Sequence, residues 1–138
     1  MSWQDVDTST VNPNDELIPE GEYVFRLVRA ALNPIKNNAI ECRAAIASEG
    51  EFQGRQVFFS YSDPSVYAQS PKLVKRLEIA LGIDAMPGEA PPDFLTRAAG
   101  MQPTFGGKVY HDKWTPDGSD QPRVSAKLNL WSVKPGVV

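Results

Sequence analysis

The stretch "SPKLVKRLEIALG", residues 70–82, carries its apolar residues at helical spacing. Leu73, Leu77 and Leu81 join Val74 and Ala80 on one face, and Lys72, Lys75 and Arg76 lie off it. Ser70 stands where an N-cap belongs, Pro71 takes the first helical position, and Gly82 lies just past the end. This is the one main helix, and its flanks decide the fold. Upstream, "IPEGEYVFRLVRAAL" (18–32) alternates Tyr23, Phe25 and Leu27 against Val24, Arg26 and Val28, which predicts a half-buried strand over 22–32. After the turn cluster "NPIKNN" (33–38), "AIECRAAIAS" sets Ile40, Cys42, Ala44 and Ile46 against Glu41, Arg43 and Ala45. The glycine-bearing connection "SEGEFQGR" then predicts a hairpin into "RQVFFSYS".

Downstream, "PGEAPPDFLTRAAG" reads as loop with one or two helical turns around Asp93–Ala99. "TFGGKVYHDKW" and "RVSAKLNLWSV" follow as the fourth and fifth strands. The pair of glycines in "TFGGK" is expected to mark a bulge at a corner. Three strands, a helix and two strands is the order of the OB-fold, a five-stranded Greek-key barrel whose helix sits between strands three and four. The fold class expected is therefore all-β with one main helix; a plain α+β sandwich has the same element order.

At 138 residues the chain has the length of one domain, and its 41% apolar and 22% charged residues are those of a globular protein. The start "MSWQDVDTST" lacks the order of a signal peptide, and no apolar run reaches the ~20 residues of a membrane span, so a cytoplasmic location is expected. The charge is uneven. Residues 1–22 carry six carboxylates and no Lys or Arg, whereas the remainder carries all 14 basic and 11 of the 17 acidic residues, a net +3. The organisation expected is an acidic arm over 1–18, poorly ordered or packed on the body, and a domain over 19–138. The arm serves either as a solvated leader or as a polyanion competing for a basic groove.

Chemistry of bond making is poorly served. One cysteine, Cys42, falls on the apolar parity of its strand, and one histidine, His111, has no carboxylate aligned to orient it. No phosphate-binding loop, dinucleotide fingerprint or zinc motif is present, so no metal, no cofactor and no enzyme activity are expected. Binding is better supported. If the apolar set of each strand faces inward, the outer face receives Arg26, Arg43, Lys108, Tyr110, Lys127 and Trp131, with Phe58 preferred over Val57 and Phe59 on the third strand. The loop "HDKWTPDGSDQPR" (111–123) would add Lys113 and Trp114 on one rim, and Lys36 would stand on the other. Cations that follow phosphates, interleaved with rings that accept unpaired bases, are what single-stranded nucleic acid requires. Taken singly, each ring is more often core or surface filler; their coincidence with cations on one parity favours binding. A protein–protein module on the same fold is the alternative; the isoelectric point of 5.1 counts against nucleic-acid binding, softened by the segregation of charge.

The segments "LIPEGEYVFRLVRA", "EFQGRQVFFSYS", "SPKLVKRLEIALGID" and the terminal "VKP" resemble a family of small phage OB-fold single-stranded DNA-binding proteins, over roughly residues 17–135. The resemblance implies sequence-independent coating of exposed strands in phage DNA replication and recombination, in the host cytoplasm, as a homo-oligomer or cooperatively. It also implies replication or recombination proteins as partners. It carries over no individual binding residue, because the shared positions look like turns and core. One departure is the end "WSVKPGVV", which lacks the acidic tail of many replication-associated strand binders; the acidic segment here is at the other end.

Overall fold

The computed structural model describes residues 17–118 and 120–138. Most of the acidic arm, from Asp5 to Glu16, and with it Trp3, lies outside the described residues. At the near end of that arm Ile18 is buried in the core. Among the described residues, no helix is long and apolar enough to cross a membrane.

The elements follow in the order β1 (Gly21–Asn33), β2 (Ala39–Ile46), β3 (Gln56–Tyr61), α1 (Ser70–Leu81), α2 (Pro91–Gly100), β4 (Thr104–Trp114) and β5 (Arg123–Leu128). The strands form one antiparallel sheet in the order β3-β2-β1-β4-β5. β1 is long enough to pair with β2 along one edge and β4 along the other. Phe25 thereby sits between Ile46 and Phe105. The ladder order leaves β3 and β5 as edges, yet these two approach each other closely, so the sheet curls until its edges meet. No ladder joins them among the described residues. The closed barrel expected from the element order is thus replaced by a curled sheet with an open seam.

The core fills the curl. Phe25 stacks on Phe105 with ring centroids 5.5 Å apart, and Phe59 meets Phe105 and Tyr61 edge-on at 6.4 and 5.9 Å. Full burial of a Phe-sized side chain contributes about 1.5–3 kcal/mol. The helical stripe behaves as its spacing predicts: Leu73, Val74, Leu77, Ala80 and Leu81 are all buried, and Gly82 takes the left-handed C-cap at φ 69°.

Four expectations need correction. α2 is a full helix of 10 residues, so the chain has two helices between β3 and β4 and not one main helix. Pro91 and Pro92 suggested loop, but the first turn of a helix has no internal acceptor for the N–H groups that prolines lack. Phe94, Leu95, Ala98 and Ala99 then form its buried face, and Thr96 Oγ1 donates to the Ala30 carbonyl of β1. Ser70 does not cap α1: Gln69 does, without a side-chain bond, and Ser70 is buried inside the first turn. The bulge falls not at "TFGGK", whose register against β1 is unbroken, but in β1 between Leu27 and Arg29. Finally β5 stops at Leu128, and Leu130–Ser132 form a 3-10 turn.

The glycines of β4 serve the chain's last segment. Gly106 exchanges two backbone hydrogen bonds with Lys134, at 2.7 and 2.9 Å, and Thr104 Oγ1 donates to the Gly136 carbonyl. A Cβ on Gly136 would stand 2.6 Å from Gly106 N and 2.8 Å from Phe105 C, both backbone atoms with no freedom to yield. Gly136→Ala should therefore lower stability by about 1–3 kcal/mol in urea unfolding, the range for overpacking.

Arg97 ties α2 to the connection that precedes it, donating to both Glu89 carboxylate oxygens at 2.8 Å and to the Asp84 carbonyl. These bonds, with one from Met86 N–H, pull the Glu89 carboxyl down to about 2 from an ordinary 4.5. A depressed carboxylate stabilises the fold above its unfolded value and loses that contribution as pH falls through the folded one. The melting temperature of Glu89→Gln should accordingly lie below that of the wild type at pH 6, the gap closing between pH 4.5 and about 2.

Candidate functional site

The β1 bulge sets the outer face. Strict alternation would aim Arg29 into the core beside Phe25 and Leu27. The extra residue at Val28 reverses the parity, so Ala30 is buried and Arg29 is exposed. Arg29 then stands directly opposite Arg43 of β2, and Arg43 directly opposite Phe58 of β3. The Arg43 guanidinium lies 4.9 Å from the centroid of the Phe58 ring, and its Nε is buried without a hydrogen-bond partner among the described residues. Phe58 is 64% exposed, whereas its neighbours Val57 and Phe59 are buried. Two like charges facing each other on a ladder repel. A hollow of about 220 Å³ beside the pair is lined by Arg29, Arg43, Glu41 and Phe58.

Phe58 also borders a larger cleft of about 490 Å³ over the seam. Its walls include Phe58 and Ser60 from β3, Tyr110 from β4, Lys127 and Leu128 from β5, and Trp131 from the 3-10 turn. Trp131 is thrust out for a countable reason. Asn129 N–H bonds Lys108 O and Lys134 bonds Gly106, so five steps of one segment run alongside two of the other. The surplus loops out as a 3-10 turn, with Asn129 Oδ1 accepting from the Trp131 N–H. Arg76 of α1 places its guanidinium 5.2 Å from the indole and donates to the Trp131 carbonyl.

Of the predicted residues, Phe58, Tyr110, Lys127 and Trp131 therefore line the cleft over the seam, and Arg43 lines the smaller hollow that shares Phe58 with it. Lys127 is not free in the cleft, since Asp112 holds its ammonium at 2.7 Å and raises its pKa. Trp131 comes from the turn and not from β5. The other five residues are placed elsewhere or committed. Arg26 donates to the Gln102 carbonyl at 2.8 Å. Lys36 lies 3.9 Å from Glu41. Lys108 is exposed on the Tyr110 face of β4, opposite Glu22. Lys113 and Trp114 belong to strand β4 and not to a loop, paired with Val124 and Arg123, and the Arg123 guanidinium lies 6.0 Å from the Trp114 ring. Sequence reasoning missed Arg29 and Arg76. The legible signal for Arg29 was an arginine falling on the core parity of a strand, which only a bulge can relieve.

The groups considered for catalysis have structural employment. Cys42 is buried on the core face, its thiol pushed up to about 12 by burial. His111 Nε2 lies 2.8 Å from the Ile18 carbonyl, and its backbone N–H donates to Glu20, so it fastens residues 18–20 to β4.

An exposed ring contributes little to folding. Phe58→Ala should change the unfolding free energy by less than about 1 kcal/mol, while Phe105→Ala should cost about 3–5 kcal/mol in the same urea titration.

No known protein-family model and no curated protein matches the chain.

Proposed function

We propose that the chain is an OB-fold, non-enzymatic protein that binds single-stranded DNA without reading its sequence. The observation that carries the reading is the row Arg29–Arg43–Phe58: two facing cations beside an exposed ring. A phosphate seated between the two guanidinium groups relieves their repulsion. The adjoining base then lies against Phe58, and the next bases run over the cleft toward Tyr110 and Trp131. Strand order β3-β2-β1-β4-β5 with meeting edges supports the OB-fold assignment. On the resemblance of the quoted segments to phage proteins, we extend the proposal to phage DNA replication and recombination within the host cytoplasm, with homo-oligomeric coating of the strand and replication or recombination proteins as partners.

A second reading is favoured by a different observation. Lys127, Lys36 and Lys134 are each paired with a carboxylate, and the net charge is −3, which weakens the field a polyanion would meet. On that reading the same exposed Phe, Tyr, Trp and Arg side chains form the anchor of a protein–protein contact in a phage complex.

A labelled oligo-dT titrated at several ionic strengths separates the two. Affinity should fall with salt, with a slope of about 0.7 per phosphate neutralised, and Arg43→Ala should reduce that slope by about one such unit. Phe58→Ala should weaken binding about tenfold at every salt concentration and leave the slope alone. Absence of retention at low salt, or indifference to both substitutions, would reject strand binding in favour of the protein contact.

A further inference from the structure

The cations divide by whether a carboxylate holds them. Lys36, Lys75, Arg97, Lys127 and Lys134 each pair with one. Lys72 and Arg76 of α1 have no such partner among the described residues. The helix that carries them walls the cleft over the seam, since Leu73 lines it together with Trp131. Lys72 and Arg76 are both exposed and four residues apart, so they share one face of α1. Like charges at that spacing repel. Lys75, the third cation of the helix, is instead paired with Glu78 at 3.3 Å.

Arg76 is held in place for a task its contacts do not exhaust. Its guanidinium lies 5.2 Å from the centroid of the Trp131 ring, and Nη1 donates to the Trp131 carbonyl at 3.4 Å. A guanidinium offers five N–H donors in a planar fork, and no other hydrogen bond among the described residues uses the remaining four. A positioned fork with spare donors suits a phosphate. Trp131 itself stays 43% exposed, which leaves indole surface for a base lying in the cleft. Resting on the strand-binding reading, we propose that the path of the single-stranded DNA continues from the cleft onto α1. There Arg76 holds the phosphate of the nucleotide stacked on Trp131, and Lys72 holds the next. The path thus meets two pairs of cations: Arg29 and Arg43, which adjoin the cleft through Phe58, and Arg76 and Lys72, which adjoin it through Trp131 and Leu73.

The test is a titration of labelled oligo-dT against the full chain at several ionic strengths. Lys72→Ala and Arg76→Ala should each lower the salt slope by about 0.7, and the double variant by about twice that. Lys72→Arg, which keeps the charge, should keep the slope. Lys75→Ala takes the same charge from the same helix, but from a residue already paired, and should leave the slope unchanged. Arg76 also packs on Trp131, so Lys72→Ala is the decisive variant: its side chain is exposed, and its melting temperature should match that of the wild type. The proposal is overturned by a slope indifferent to Lys72→Ala, or by an equal drop in Lys75→Ala, which would reduce the effect to net charge. A slope lowered by Arg43→Ala but not by Lys72→Ala removes this path alone and leaves the strand-binding reading standing. No retention of oligo-dT by the wild type at low salt removes both.

Discussion

Strand β1 serves both halves of the sheet, and the single extra residue at Val28 lets it do so. Before the bulge, Phe25 and Leu27 lie in the core between β2 and β4; after it, Ala30 takes over the inward position while β1 continues with β2 alone. A bulge adds local twist and bends its strand. The bend allows a five-stranded sheet to curl until β3 and β5 meet, and it leaves the backbone carbonyl of Ala30 for Thr96 of α2 to occupy. The same residue reverses the outward parity and sets Arg29 against Arg43. The curl of the sheet, the docking of α2 and the charge of the outer face thus meet at one local feature.

How much of this was legible follows from which signals are local. Parity worked on β2, where Arg43 was found from alternation, whereas on β3 rings on both parities left two registers open and the preferred one, with Phe58 outward, is the one observed. It failed on β1 past Val28, because an extra residue leaves no mark on composition. It failed again at Trp131: "LNLWSV" alternates like a strand, yet the chain there is anchored to Lys108 and Gly106, and the mismatch in length expels the turn. Trp114 was misread for the opposite reason. Turn formers follow it, but the β4–β5 ladder extends out to the Trp114–Arg123 pair before they begin. The second helix was hidden by its prolines, which mark a helix start as readily as a loop. The pairing of Lys127 with Asp112 could not be read at all, since it depends on which side chains share a face two residues off the direct cross-strand partner.

The polar groups divide into those that are satisfied and those that are not. Arg97, Arg26 and His111 are engaged with carbonyls or carboxylates and hold loops and the near end of the N-terminal segment in place. Arg43 Nε, Tyr61 Oη and Ser70 Oγ are buried without hydrogen-bond partners among the described residues.

The seam between β3 and β5 has a mechanical meaning. Elsewhere the curled sheet is riveted by backbone rungs; among the described residues no ladder crosses this line, so it is where the wall parts with least effort. Anything lying across Phe58, Tyr110 and Lys127 bridges both lips of that line. Occupation would act as a clasp, slowing amide exchange in two strands that are far apart in sequence.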